Sequence, residues 1–425
     1  ALLAFTMSFD DFVISYFVSG NGVKNISIVV YNMTKRINPT INALSTIVIV
    51  VIVLVMVFAN VLPNLLEKHA SRHAKKIQRG IALLVVLALG FGLVKCGGSA
   101  TQSHVLKVYN AGEYIDLDLL TQFEQEYNCT VVYETFESNE MMYTKLSGGE
   151  SYDVLVPSDY MIERLIKEDY LQHIDWDLIP NKDKLMDEVM NKSYDPGNRY
   201  SCPYFWGTVG ILYDTTVVDP DDLQEGWDIL CDTKYKGNIY MYDSERDSFM
   251  IALKALGYSM NTTDENQIQE AYQWLVDQRN TMDPIYAGDD VIDNMISGNK
   301  AMAVVYSGDA SYIISENPNM DYFTPNQGTN NWYDAMVITR DCSEIELAHA
   351  FINFMLEEES ALCNTEEVGY TSPVKSVYET MITGEYEGVS SYIPDFENPN
   401  SEIFRYQEPK IKQKYAELWT KIKAE

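Results

Sequence analysis

Three short apolar stretches decide the fold: VLKVYN at residues 105–110, TVVYETF at residues 130–136 and DVLVPS at residues 153–158. Each has the β-branched and aromatic residues that strands favour. Residues 116–127 lie between the first two and carry apolar side chains at helical spacing, and Ser138 is a suitable N-cap for a second helix. Strands that alternate with helices are typical of a parallel sheet. The sequence therefore predicts an α/β fold.

Polar and aromatic residues follow each of these strands. They are Glu113-Tyr114, Ser138-Asn139-Glu140 and Ser158-Asp159-Tyr160. In parallel sheets, ligands bind at the carboxyl ends of the strands. Serine and aspartate also serve as ordinary turn and helix-cap residues. Because the pattern occurs at three successive strand ends, we favour a binding site over caps alone.

The same combination of a carboxylate with an aromatic residue recurs later. Strands are predicted at residues 237–242, 301–306 and 335–339. Asp247 and Asp309 follow the first two, and Trp332-Tyr333-Asp334 precedes the third. Carboxylates bind ammonium groups through charge-assisted hydrogen bonds, and aromatic faces attract the same cations. Several acids along one cleft would suit a linear di- or polycation.

The charge of the chain is unevenly distributed. The first 100 residues hold nine of the 31 basic and three of the 62 acidic residues, so residues 101–425 carry 22 basic and 59 acidic residues, a formal net charge of −37. Such a surface repels nucleic acid and attracts cations. High solubility is an alternative explanation of the same charge.

The motifs that identify common enzyme and metal sites are missing. The sequence lacks GxGxxG, GxxxxGK[ST], GxSxG and HExxH, and its six cysteines form no CxxC or Cys/His cluster. We therefore expect neither an enzyme nor a cofactor nor a metal.

The first hundred residues are predicted to be membrane segments. Residues 42–61 form an uncharged apolar run long enough to cross a bilayer, residues 1–18 are also apolar, and residues 81–94 form a shorter signal or anchor helix. Five basic residues lie between positions 68 and 79 and are expected to stay cytoplasmic. The chain after about residue 96 is then extracytoplasmic.

The stretch LVKCGGS around Cys96 resembles a bacterial lipoprotein signal, with Cys96 as the lipidated residue. Lys95 stands where such signals normally have a small residue, so an uncleaved anchor is an alternative. Either arrangement places the following domain outside the cell membrane.

Residues 104–425 resemble the spermidine/putrescine-binding proteins of bacterial polyamine ABC transporters, the PotD type. The resemblance is carried by YNAGEYID (109–116), ETFESNEMMYTKL (134–146), YDVLVPSDY (152–160), CPYFWGTVGILYD (202–214), ALGYSMNTTD (255–264), NWYDAMVI (331–338) and VGYTSPV (368–374). Residues 1–65 resemble the carboxyl end of a PotC-type permease, through AFTMSFDDFVISYFVSG and NALSTIVIV.

The resemblance implies a two-lobed periplasmic-binding-protein fold, type II-like, preceded by transmembrane helices. Residues 1–65 would be the permease fragment with two membrane segments, and residues 66–103 a basic linker, anchor helix and tether. Lobe one is expected at residues 104–207 and 334–378, and lobe two at 208–333 and 379–425. The implied partners are a polyamine, permease subunits, a cytoplasmic ATPase and the membrane.

The resemblance also assigns ligand-binding residues. Aromatic walls would be Tyr114, Tyr160, Tyr306, Trp332 and Tyr370, amine-binding acids would be Glu113, Asp247, Asp309 and Asp334, and Ser158 would lie at the cleft floor. Asp309 resembles the putrescine-selective relatives. Ala111-Gly112 departs from the family, which commonly has a tryptophan there followed by a small polar residue.

Two alternatives stay open at this point. One is a receptor of the same fold for another small cationic or amino-acid-like solute. The other is a sensory domain on a membrane anchor, which a cytoplasmic signalling tail would support.

Overall fold

The computed structural model describes residues 104–288, 290–393 and 398–424. The predictions for residues 1–103, which comprise the permease fragment, the anchor and Cys96, lie outside these residues. Across the three described ranges, no helix is both long enough and apolar enough to cross a membrane. The five cysteines in these ranges are free.

The described part of the chain contains nine strands. In chain order they are β1 His104–Ala111, β2 Cys129–Phe136, β3 Val154–Leu155, β4 Ser201–Asp214, β5 Ile239–Tyr242, β6 Ile285–Ala287, β7 Met302–Tyr306, β8 Met320–Phe323 and β9 Asn331–Ile338.

Eleven α-helices lie within the same described ranges. They are α1 Leu117–Tyr127, α2 Asn139–Ser147, α3 Asp159–Lys167, α4 Glu245–Ala255, α5 Glu265–Met282, α6 Asp290–Ile296, α7 Ser307–Glu316, α8 Ile345–Met355, α9 Glu358–Val368, α10 Lys375–Thr383 and α11 Pro409–Ala424. Short 3₁₀ turns occupy Trp176–Leu178, Pro180–Lys184, Asp187–Val189, Asp222–Cys231 and Thr233–Tyr235.

The strands form two parallel groups joined by an antiparallel pair. The order is β2-β1-β3-β9-β4-β7-β5-β6, with β8 also paired to β4. β1 runs parallel to β2 and β3, and β5 runs parallel to β6 and β7. We call β1–β3 with α1–α3 the first half, and β5–β8 with α4–α7, α11 and the residues from 398 up to α11 the second half. The predicted α/β alternation is confirmed, although the whole sheet is mixed.

Strand β4 links the two halves. Its fourteen residues are all buried; the segment up to Thr208 pairs with β9, and the segment from Val209 pairs with β7 and β8. The chain returns to the second half near its end, where α11 packs on α4 and α5. There the rings of Phe249 and Tyr415 meet edge to face, with centroids 4.8 Å apart.

Strand β9 begins at Asn331, earlier than the start predicted at residue 335. The predicted start was wrong because Trp332 and Asp334 resemble the polar and aromatic residues that end strands elsewhere in this chain. In the structure they continue the strand and pair with Gly207 and Phe205 of β4. Since side chains alternate along a strand, Trp332 and Asp334 share one face of the sheet.

Helix caps bring residues to the edge of the sheet. The Ser138 hydroxyl accepts a hydrogen bond from the Met141 amide at 3.3 Å, as its predicted capping role requires. Ser158 stands in the same position before α3 but makes no capping bond. Its hydroxyl instead accepts a hydrogen bond from the side-chain amide of Asn139 at 3.0 Å.

Candidate functional site

Three tyrosine–carboxylate pairs lie around Trp332. The hydroxyls donate from Tyr114 to Asp334 (2.6 Å), from Tyr306 to Asp247 (3.0 Å) and from Tyr370 to Asp309 (3.1 Å). The residues come from both halves and from β9, except Tyr370, which lies between α9 and α10. The three pairs and Trp332 account for seven of the ten residues assigned to the site from the sequence, and Ser158 beside Asp334 is the eighth.

The rings of these pairs contact one another edge to face. Trp332 lies 5.2 Å from Tyr370 and 6.1 Å from Tyr306, with interplanar angles of 90° and 88°. Tyr370 in turn lies 5.7 Å from Tyr114. Perpendicular rings beside carboxylates offer an organic cation both π faces and charged hydrogen-bond acceptors.

Two glycines allow these rings to approach the backbone. A Cβ on Gly207 would lie 2.7 Å from Cζ2 of Trp332, and a Cβ on Gly308 would lie 2.1 Å from Cδ1 of Tyr370. Both distances are far below van der Waals contact. Any larger residue at either position would displace the aromatic side chain.

Asp334 and Ser158 lie next to each other. Residue 158 makes an isolated β-bridge to Asp334, and the Ser158 hydroxyl accepts a hydrogen bond from the Asn139 amide at 3.0 Å. Asp334 is partly exposed as a whole residue, but protein atoms surround its carboxyl group. This burial raises the pKa of Asp334, while hydrogen bonds from Tyr114 and Ser158 oppose the rise.

A second carboxyl group, that of Asp159, lies behind Asp334. It is 1% exposed and accepts hydrogen bonds from the backbone amides of Tyr160 (2.6 Å) and Tyr333 (3.1 Å). Burial, followed by repulsion from the Asp334 carboxylate, raises the pKa of Asp159 to about 8. Two neighbouring acids that the protein encloses disfavour double ionisation unless a cation lies close to them.

Asp247 supplies the corresponding acid from the second half. It is 3% exposed in the first turn of α4, where its amide donates to the Ser244 hydroxyl at 3.3 Å. Burial raises its pKa, and hydrogen bonds from Ser244 and Tyr306 partly compensate. Ser244 therefore acts as the helix N-cap.

Tyr160 lies near the same edge but has a different partner. The Arg246 guanidinium carbon is 3.3 Å from the centroid of the Tyr160 ring, and an Arg246 nitrogen is 3.5 Å from Oε1 of Glu140. Burial disfavours the charged form of Glu140, but the neighbouring Arg246 and Lys412 prevail and lower its pKa. One face of Tyr160 is thus covered by a cation of the protein itself.

Glu113 does not join the cluster. It lies exposed in the turn after β1, in the left-handed backbone region at φ 53°, and makes no hydrogen bond or ion pair with the described residues. Ala111, which precedes this turn, is half-buried at the end of β1 and supplies no ring. Neither a carboxylate at residue 113 nor a ring at residue 111 therefore covers the side of the site next to β1.

Three neighbours of the site were not among the ten assigned residues, although Asn139 had been noted after the second predicted strand. Asn139 holds Ser158, and the ring of Tyr242 lies 5.2 Å from that of Tyr306. Both residues lie at strand ends, which was the available signal. Arg246 had no such signal, because a basic residue beside a helix start looks like an ordinary surface residue.

The chain matches a family model for bacterial extracellular solute-binding proteins over residues 118–388. The chain belongs to this family. Among its relatives is the spermidine/putrescine-binding periplasmic protein of Escherichia coli, which is 31% identical over 354 residues, or 82% of this chain and 99% of that protein. The relatives of this solute-binding protein are thus binding proteins rather than enzymes.

Solved structures of similar proteins support the same family. The spermidine/putrescine ABC transporter substrate-binding protein PotD from Streptococcus pneumoniae is 40% identical, with a TM-score of 0.67, and covers 76% of this chain and 99% of its own. A putative spermidine/putrescine ABC transporter from Listeria monocytogenes is 37% identical, with a TM-score of 0.68 and the same coverage. The predicted two-lobed α/β periplasmic-binding-protein fold is confirmed.

Proposed function

We propose that this solute-binding protein is the extracytoplasmic receptor of an ABC importer and binds putrescine or spermidine between its two lobes. The observation that carries the proposal is the set of three tyrosine–carboxylate pairs around Trp332. Buried carboxylates next to aromatic rings are suited to ammonium groups and unsuited to anions.

Each residue of the set has a proposed role. Asp334 binds one terminal ammonium group, and Asp247 binds the ammonium group at the other end. Trp332 covers the methylene groups between them. The remaining residues complete the enclosure: Tyr114, Tyr306 and Tyr370 orient the carboxylates, Asp309 adds charge and Ser158 lines the floor.

The names of the relatives favour a polyamine over other cations. Both the Escherichia coli protein and the Streptococcus pneumoniae protein are named for spermidine and putrescine. A putrescine-binding periplasmic protein of Pseudomonas aeruginosa is 30% identical over 366 residues. Putrescine and spermidine are linear amines whose charges can meet several separated acids.

The transporter context is part of the proposal. The apolar segments in residues 1–94 favour membrane attachment, and their resemblance to a permease end favours delivery to a fused permease served by a cytoplasmic ATPase. Cys96 is the proposed lipidation site. The lobe boundaries proposed are residues 104–207 with 334–378, and 208–333 with 379–425.

Calorimetric titration of the purified full chain with putrescine, spermidine and spermine tests the function. We expect micromolar or tighter binding of at least one of them, with no comparable heat from glutamate, an anionic control. A folded chain that binds none of the three amines would refute the proposal, and other cationic amines would then be screened.

A further inference from the structure

Arg246 contacts the opposite half of the protein through Tyr160. Arg246 lies in the first turn of α4, in the second half, whereas Tyr160 lies in the first turn of α3, in the first half. The guanidinium carbon is 3.3 Å from the centroid of the Tyr160 ring and 5.3 Å from that of Phe404. A planar guanidinium at this distance stacks on the ring, which an ammonium group cannot do.

Glu140 ties the same contact together. Its Oε1 lies 3.5 Å from an Arg246 nitrogen and 2.8 Å from Nζ of Lys412. Both cations belong to the second half, whereas Glu140 lies in the first turn of α2 in the first half. The Arg246 side chain is 32% exposed, so solvent only partly screens this ion pair. Arg246 therefore has a ring and a carboxylate as partners across the cleft.

The neighbouring residue of α4 points to the candidate site. Asp247 follows Arg246 directly in the sequence and accepts the Tyr306 hydrogen bond at 3.0 Å. One helical turn thus presents an acid to the ligand site and a cation to the opposite wall. Movement of α4 relative to α3 would change both contacts together.

We propose that Arg246 is a positioning residue, which stacks on Tyr160 and so fixes one wall of the site only while the two halves are in contact. Arg246 does not touch the ligand. It couples closure of the halves to the orientation of Tyr160, and its loss lets the bound ligand escape faster. The ligand readout rests on the proposed function, whereas the conformational readout does not.

A second arginine offers a matched control. Arg405 also comes from the second half, and it forms two hydrogen bonds with Glu163 of α3, at 3.0 Å and 2.7 Å. Arg405→Met therefore removes an ion pair between the halves but leaves the stack on Tyr160 in place. An effect that both variants share arises from weaker contact between the halves. An effect that only Arg246→Met produces arises from loss of the stack on Tyr160.

The ligand test is a double-mutant cycle on the full chain with Arg246→Met and Tyr160→Leu. We expect Arg246→Met to raise the dissociation rate constant of putrescine about tenfold, the scale of a partly desolvated cation–π contact. In the Tyr160→Leu background the same substitution should change that rate constant less than about twofold, because coupled residues are not additive. Arg405→Met should have an equal effect in both backgrounds.

The conformational test uses no ligand. Spin labels on unnatural amino acids at Gln125 in α1 and Gln273 in α5, which are exposed in opposite halves, report the distance between the halves. We expect Arg246→Met to shift the distance distribution, and Arg246→Lys, which retains the charge without the planar group, to shift it less.

The outcomes separate the two proposals. If the wild-type chain binds no polyamine, the proposed function fails. The spin-label experiment still tests Arg246 in that case, and the same distance distribution in Arg246→Met as in the wild-type chain would overturn its proposed role. If a polyamine binds, a dissociation rate unaffected by Arg246→Met, or affected equally in the Tyr160→Leu background, overturns it. A thermal unfolding scan verifies that each variant is folded, and Arg246→Lys replaces Arg246→Met if the latter is not.

Discussion

At the scale of single residues, the protein keeps carboxyl groups in surroundings that penalise their charge. Asp247 and Asp159 are almost fully buried, and burial raises the pKa of both. Neither acid forms an ion pair with a described basic side chain, and the nearby Arg246 offsets their burial only in part. Their presence therefore favours a function that supplies a further cation. A tyrosine hydroxyl is a weaker hydrogen-bond donor to a carboxylate than an ammonium group is, and the carboxylate can accept from both at once.

Asp334→Asn should weaken polyamine binding by about tenfold or more, because one charge-assisted hydrogen bond is lost while the side-chain shape is retained. Titration calorimetry measures the change. Asp341→Asn removes an exposed carboxylate elsewhere and should leave affinity unchanged. Near-normal affinity of the Asp334 variant would remove this residue from the site.

Polyamine affinity should rise between pH 6 and pH 8. The pKa of Asp159 is raised to about 8, so much of this acid is protonated below that pH, and a bound cation favours its ionised form. Binding then expels a proton at low pH, and affinity increases until the acid is already ionised. Calorimetry at pH 6.5 in buffers of different ionisation enthalpy should detect proton release from the unchanged chain and less from Asp159→Asn. Equal release from both would exclude Asp159 as its source.

At the scale of elements, strand pairing sets the spacing of the aromatic groups. Gly207 of β4 lies opposite Trp332 of β9, and Gly308 of α7 lies under the Tyr370 ring. These positions have no room for a Cβ, so the strand and helix backbones themselves form part of the rings' packing surface. The positions of the Trp332 and Tyr370 rings are therefore set by direct packing on the backbone at Gly207 and Gly308.

Gly308→Ala should lower polyamine affinity by displacing Tyr370, and overpacking should lower the free energy of unfolding by about 1–3 kcal/mol. Gly288→Ala is the matched control, since nothing lies within 4 Å of a Cβ added there. Titration calorimetry and chemical denaturation measure the two effects. If both alanine variants bind alike, Tyr370 does not need its observed position.

At the scale of the whole molecule, the net charge of −37 over residues 101–425 acts beyond any one contact. A negative field raises the encounter rate of a di- or trication, and salt screens it over about 10 Å at 0.1 M. The association rate constant for putrescine should therefore fall several-fold between about 20 mM and about 500 mM salt. Stopped-flow measurements should show little change in the dissociation rate constant; a fall confined to dissociation would contradict steering by charge.

The α/β alternation, and the strand ends at which the candidate site lies, could be predicted from the sequence alone. Periodicity and β-branched composition are local properties, so β1, α1, β2 and α2 could be predicted before the structure. The acids and aromatics of the site came from strand-end patterns and from family resemblance.

Which of these residues are in contact depends on the tertiary structure. Trp332 and Asp334 belong to β9 because pairing with β4 extends that strand, which no local signal encodes. Glu113 remains apart because the turn after β1 exposes it. Arg246 contacts Tyr160 although the two are 86 residues apart in the sequence. Contacts between the halves depend on how two folded units close and not on the sequence on either side of each residue.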